Sequence, residues 1–186
     1  LTNIKITKKN ENLFKSNGVN TITQDKDGRL LIGTTKGLSI FDGKEFTNYD
    51  FTHGIGNGFV TDIEVVGNSI WIGTGTFMKA GSRQTLGGGI TLFNGKTFKS
   101  FDLTQFTGID SKTSWVNCIK EDGGNIWIGT VGGLLQYDGS KFHIFRETDG
   151  LPSNNINDIL VDNNGVWICT VKGLVNYNNA GFKVIT

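Results

Sequence analysis

Ile126-Trp127-Ile128-Gly129-Thr130-Val131-Gly132-Gly133-Leu134-Leu135-Gln136-Tyr137-Asp138-Gly139-Ser140-Lys141 decides the fold, because something close to it occurs four times. The other copies run from Leu30 to Lys44, from Ile70 to Lys96 with an insertion, and from Val166 to Asn179. Each reads as an apolar strand ending in Thr, a short Gly-containing turn, a second strand opening on Gly-Leu or Gly-Ile, and a tight turn. A recurrence of this kind sets the architecture before any single residue does.

Aligned on the Gly-Thr pair, the copies place Gly33, Gly73, Gly129 and, with a change of residue, Cys169 at steps of 40, 56 and 40. Phe46, Phe98, Phe142 and Phe182 each lie eight residues after Leu38, Ile90, Leu134 and Leu174. Upstream, Val19 with Ile22, Val60 with Ile63, Val116 with Ile119, and Ile156 with Ile159 mark a further strand at a fixed distance. One unit therefore holds four short strands, A to D, at hairpin spacing. Asp27-Gly28 and Asn164-Gly165 separate A from B, while Asp42-Gly43, Asn94-Gly95 and Asp138-Gly139 separate C from D. Such pairs favour the left-handed backbone of two-residue hairpins. With no sustained 3.6-residue periodicity, an all-β fold is expected: a β-propeller of four-stranded antiparallel blades, four in this chain, as a closed small ring or an arc of a larger propeller.

The blades are expected at about 17–53, 54–106, 107–149 and 150–186, forming one domain after an extra outer strand and lead-in over 1–16, where Ile4 to Thr7 alternates. Composition agrees, with 27 Gly, a single Pro and 11% aromatic residues. The balance of 18 basic against 17 acidic residues provides no bulk field for nucleic acid or an anionic membrane. No apolar run reaches the roughly 18 residues of a membrane span, and Leu1 opens no signal-like segment, as in a processed or trimmed product. Cys118 and Cys169 belong to different strands of neighbouring blades, so two buried thiols are expected rather than a bridge.

Gly150-Leu151-Pro152-Ser153-Asn154-Asn155-Ile156, through Trp167 to Gly173-Leu174, resembles the two-component regulator propeller repeat, and looser copies extend the resemblance over residues 17 to 186. Leu31 stands where the other units have Trp, Cys169 replaces a Gly, and the Gly-Leu-Pro-Ser opening is intact only in the last unit. The resemblance implies an extracytoplasmic sensor part of a membrane-bound signalling protein, such as a hybrid histidine kinase responding to glycans, and hence a periplasmic or extracellular location.

Residues that break the repeat point to function. A–B and C–D hairpins share one face of such blades; B–C turns and inter-blade connections share the other. From Thr to Gly the B–C turn takes three steps in units one, three and four but fifteen from Thr74 to Gly89, and the connection from Phe98 to Val116 takes eighteen steps where its sisters take fourteen. Both enlargements fall on one face beside one junction. Loops lengthened on a rigid scaffold are where binding surfaces are built. Phe77, Met78, Lys79, Arg83, Trp115, Lys36 and Lys172 are the candidate ligand-binding residues. Trp offers a flat apolar surface, and Arg can hold a carboxylate through two hydrogen bonds. The same pattern fits an inserted loop folded over its own blade, or solvated lysines beside the acidic Asp50, Asp102, Asp110, Glu147 and Asp149 of the connections.

Trp71, Trp127 and Trp167 occupy one repeated position and read as packing between blades. Asp25-Lys26-Asp27-Gly28 lacks the Glu of a calcium loop and reads as a hairpin turn; Gly87-Gly88-Gly89 lacks a phosphate-loop Lys. Neither His53 nor His143 has a catalytic partner in the pattern. No catalytic, metal or cofactor site is expected. Three readings compete: non-enzymatic recognition of an oligosaccharide or another anionic ligand in two-component signalling, a protein-interaction scaffold, and a propeller lyase. Partners would be a glycan or small molecule, a partner protein, further propeller blades or another copy, with no nucleic acid.

Overall fold

A computed structural model describes residues 16, 18–75, 77–78, 85–86, 88–106, 108–110, 113–178 and 181–185. The first blade is β1 (Val19–Gln24), β2 (Leu30–Thr34), β3 (Gly37–Phe41) and β4 (Phe46–Tyr49). In the second, β5 (Val60–Val66) and β6 (Ser69–Thr74) precede a small hairpin, β7 (Phe77–Met78) with β8 (Thr85–Leu86), and β9 (Gly89–Phe93) with β10 (Phe98–Asp102) complete the sheet. The third is β11 (Val116–Asp122), β12 (Asn125–Thr130), β13 (Leu134–Tyr137) and β14 (Phe142–Phe145); the fourth is β15 (Ile156–Asp162), β16 (Gly165–Thr170), β17 (Gly173–Asn178) and β18 (Gly181–Ile185). Every sheet runs in the order A-B-C-D and every pairing is antiparallel. Among the described residues there is no α-helix, and hence none long and apolar enough to cross a membrane. The alternating Ile4 to Thr7 strand lies outside them.

The Thr ending each strand B explains the conserved-looking Gly-Thr of the repeat. Thr34, Thr74, Thr130 and Thr170 are buried, and each hydroxyl donates to the carbonyl of Gly37, Gly89, Gly133 or Gly173, at 2.9, 3.2, 2.7 and 2.9 Å. A buried hydroxyl without a partner would cost about 1–3 kcal/mol, so the turn is held where its polar group is satisfied. The bond survives in blade 2 despite the insertion, which leaves the β6–β9 register in step with its sisters.

Strand A bulges once in every blade, between Val19 and Thr21, Val60 and Asp62, Val116 and Cys118, and Ile156 and Asp158. The extra residue leaves the ladder. At two junctions it is an Asn that reaches the next blade: Asn20 Nδ2 donates to the Val60 carbonyl at 2.7 Å and Asn117 Nδ2 to the Ile156 carbonyl at 2.6 Å. Successive A strands lie side by side, β1 on β5, β5 on β11 and β11 on β15.

Alternation along the strands gives each blade a leading and a trailing apolar face, and the trailing face of one packs on the leading face of the next. Leu31, Leu38 and Ile40 meet Val60, Ile63, Ile70 and Ile72; Trp71 and Ile90 meet Val116, Ile119, Ile126 and Ile128; Trp127 and Leu134 meet Ile156, Ile159, Val166 and Ile168. Trp71 and Trp127 thus occupy the inter-blade position that the repeat predicts. Glycine is required at the heart of each contact. A Cβ on Gly33, Gly73 or Gly129 would lie 2.6, 2.6 and 2.7 Å from the side chain of Val60, Val116 or Ile156.

The two ends of the series are uncovered. On the leading face of blade 1, Val19 and Ile22 are 52% and 60% exposed, where their counterparts in the later blades are at most 3%. On the trailing face of blade 4, Leu160 is 61% exposed and Trp167 half-exposed. The four blades therefore form an open arc, since a closed ring would bury these faces together. That geometry corrects the expectation for the cysteines. Cys118 is buried between blades 3 and 4, whereas Cys169 is exposed on the uncovered face of blade 4; both are free thiols.

Candidate functional site

The enlarged face is organised by one repeated backbone bond. The residue after each strand-B Thr donates its N–H to the carbonyl of the residue just before strand A: Thr35 to Gly18, Gly75 to Phe59, Val131 to Trp115 and Val171 to Asn155, at 2.9 to 3.2 Å. It ties every B–C turn to an inter-blade connection, which puts both enlargements on one face. It also makes Phe59 and Trp115 equivalent positions in neighbouring blades.

Their rings meet edge to face at 5.5 Å, both half-buried. Gly75, where the insertion leaves β6, lies beneath them; a Cβ there would sit 3.0 Å from Trp115, 3.1 Å from Phe59 and 3.1 Å from Thr61. At the other end of the insertion a Cβ on Gly88 would strike the carbonyls of Ser114 and Thr74. Both stems of the inserted hairpin therefore press against Ser114–Trp115. Asn57 fixes the arrangement, accepting from the Phe59 N–H at 2.9 Å and donating to the Gly75 carbonyl. Two buried hydroxyls here, Thr61 Oγ1 and Ser114 Oγ, have no hydrogen-bond partner among the described residues.

Of the residues singled out in the sequence, Trp115 is at the base of the insertion, and Phe77 and Met78 form one strand of the inserted hairpin. Lys79 and Arg83 lie outside the described residues. Lys36 is exposed in the B–C turn of blade 1, its carbonyl within 3.9 Å of where a Gly58 Cβ would stand, so that turn flanks the Phe59 approach. Lys172 is farther along and its Nζ is 3.6 Å from Glu147 Oε1, which partly neutralises it. Phe59 and Asn57 were missed, although counting one residue back from Val60 and Val116 aligns Phe59 with Trp115.

On the opposite face two polar clefts, about 450 and 430 Å³, open between blades 1 and 2 and between blades 3 and 4. In each, an aspartate is held by hydrogen bonds within its own hairpin. In the first, Asp25 is buried, accepts from Arg29 Nε at 2.7 Å and also accepts two backbone N–H groups of its own hairpin. Burial pushes its carboxyl up, yet the Arg29 and backbone hydrogen bonds hold it below the usual carboxylate range. Its turn is thus the hairpin expected of Asp25-Lys26-Asp27-Gly28. In the second, Asp162 accepts from Trp167 Nε1 at 3.0 Å and from the Asn164 N–H. Among the described residues no group of three or more His, Cys, Asp or Glu side chains is arranged to hold a metal.

The sequence profile described as "Two component regulator propeller" matches residues 14–36 and 150–172, the openings of blades 1 and 4. A curated relative, histidine kinase P4 of Formosa agariphila, is 29% identical over 161 residues, covering 83% of this chain and 11% of the kinase. The extracellular domain of the putative hybrid two component system BT3049 from B. thetaiotaomicron has the same fold, with a TM-score of 0.73 at 24% identity, over 90% of this chain and 23% of that one. That of BT4673 gives a TM-score of 0.69 at 23% identity over 92% of this chain and 22% of the other. The chain thus spans only a fraction of the length of each. With four repeated blades and matched openings in the first and last, this chain carries two-component regulator propeller repeats and is similar in fold to the extracellular domains of these sensors.

Proposed function

We propose that this arc is a non-enzymatic recognition module of an extracytoplasmic two-component sensor, and that it takes an oligosaccharide bearing acidic groups on the face of the inserted hairpin. The observation that supports it is that the insertion leaves β6 directly beneath the Phe59–Trp115 pair, at Gly75, and returns at Gly88 against the neighbouring Ser114. A half-buried aromatic edge beside the stem of an inserted hairpin suits a sugar ring, whose C–H face packs on aromatic carbons while its hydroxyls turn outward. Lys36, with Lys79 and Arg83 of the insertion, would provide the positive charge for a carboxylate or sulfate.

The test is removal of residues 76–87. Joining Gly75 to Gly88 restores the three-step turn of the sister blades and retains Thr74 and Gly89 for the hydroxyl bond that sets the register. Acidic and neutral oligosaccharides are screened against the intact chain, and hits are titrated by calorimetry. The folded deletion variant should lose at least about tenfold in affinity, as should Trp115→Ala. Undiminished affinity in both would move the site elsewhere; binding only of protein ligands on this face would replace the sugar with a protein partner.

A further inference from the structure

We propose that the cleft between blades 3 and 4, on the face opposite the insertion, binds a small organic cation that donates N–H groups to Asp122. Asp25, Asp122 and Asp162 stand at one repeated position, where strand A meets the A–B turn; blade 2 has Val66 there. Across that turn Asp25 faces Arg29, Asp122 faces Asn125 and Asp162 faces Gly165. Two of the three carboxylates are held by their own hairpin. Asp25 accepts from the Arg29 guanidinium at 2.7 Å and from two backbone N–H groups, and Asp162 accepts from the Trp167 indole at 3.0 Å and from the Asn164 N–H at 2.8 Å.

Asp122 is the third, half-buried, and among the described residues its carboxylate takes no hydrogen bond and no ion pair. The cause is local. Its turn is Gly123-Gly124, which has no side chain to reach back, and the Gly124 N–H donates to Glu121 Oε1 at 2.7 Å rather than to Asp122. Asn125, where blade 1 has Arg29, gives its Nδ2 to the Asp122 backbone carbonyl at 3.3 Å and not to the carboxylate. Trp127, at the position of Trp167, is 1% exposed, and its indole N–H is buried without a partner among the described residues. The indole–carboxylate bond of blade 4 is thus not made in blade 3, although both groups are present.

A half-buried carboxylate that its own blade leaves unpaired is free to accept from a ligand, and the cleft around it suits a cation. Its volume of about 430 Å³ is enough for a small molecule. Asp122 and Asp162 are its charged lining groups, both negative, whereas the cleft between blades 1 and 2 includes the Arg29 that neutralises Asp25. The Gln136 amide and the Tyr177 hydroxyl also line it, and neither has a hydrogen bond among the described residues. An ammonium or guanidinium would meet the Asp122 carboxylate, the Gln136 side-chain carbonyl and the Tyr177 ring, which are the acceptors and the π face that cations take up. The ligand does at Asp122 what Arg29 does at Asp25. An acidic ligand is repelled here, so this site is separate from the one proposed on the insertion face.

Agmatine, which carries a guanidinium and an ammonium, is the probe, and methyl glucoside is the neutral hydroxylated alternative. Each is titrated into the isotope-labelled chain while the backbone amide resonances are followed by NMR. Agmatine should shift the resonances of residues 123–125 and 163–165 saturably, and bind more weakly as NaCl is raised. Asp122→Asn alters a carboxylate that no hydrogen bond of the described fold uses, and should weaken binding at least about tenfold, the worth of one hydrogen bond to a charged group. Asn125→Arg gives blade 3 the internal cation of blade 1 and should weaken binding as much, the spectrum of the remaining blades reporting that each variant is folded. The proposal fails if agmatine gives no saturable shift at these residues, or if either folded variant binds it as tightly as the wild type. It fails also if methyl glucoside alone binds, which would make the cleft a site for a neutral hydroxylated ligand. The two variants act from opposite sides of the turn, so a folding defect in one does not remove the test.

Discussion

Truncating Trp127 measures directly how much of the stability resides between blades. The residue is 1% exposed in the cluster joining blades 3 and 4, with Tyr177 at 5.1 Å and Phe145 at 6.0 Å from its ring. Loss of a buried Trp side chain costs about 3–5 kcal/mol. Its indole N–H, however, is buried without a partner among the described residues. An unpaired donor carries a penalty of about 1–3 kcal/mol that disappears with the ring, which places Trp127→Ala near the low end, about 3 kcal/mol. Trp127→Phe keeps most of the apolar area and removes the orphaned donor, so it should stay within about 1 kcal/mol of the wild type. Urea unfolding followed by fluorescence gives both values if the slope is unchanged. A loss under about 1 kcal/mol for Trp127→Ala, or equal losses for the two variants, would refute the reasoning.

Gly73→Ala drives a methyl to 2.6 Å from Val116 Cγ1 and should destabilise by about 1–3 kcal/mol in the same assay, with rescue by Val116→Ala. Asn117→Ala removes the amide stitch to Ile156 and should cost about 1 kcal/mol. Hydrogen bonds from the Ser140 hydroxyl, the Lys141 N–H and His143 hold the Asp138 carboxyl well below the usual range. A depressed folded pKa stabilises above the unfolded value of about 3.9 and is lost as pH falls below it, so Asp138→Asn should blunt the acid side of the stability profile. Burial pushes the Glu64 carboxyl the other way, outweighing the Glu121 N–H bond and Lys120. Glu64→Gln should therefore raise stability at pH 7, with the gain shrinking towards pH 4, as thermal melts across that range would reveal.

Much of the fold was legible because its rules are local or repeated. Asp-Gly and Asn-Gly turns act on their own backbone, and four copies of one unit let the chain serve as its own alignment, so strand B ends at Thr34, Thr74, Thr130 and Thr170 as predicted. The insertion at Thr74 was legible too, as a departure from that internal standard. What the repeat could not convey is what lies across from a residue. Gly33, Gly73 and Gly129 are needed for the side chain that enters from the next blade, and no pattern within one blade announces that. Cys169 and Trp167 occupy the same strand positions as buried counterparts, yet they face solvent because no described residue packs over that face of blade 4. The pairing of Phe59 with Trp115, the neutralisation of Lys172 by Glu147, and the open arc itself all depend on neighbours distant in the chain. The sequence alone determined what each blade is; burial between blades, a property of the assembled arc, decided which of its residues are core, which are stitched, and which remain free.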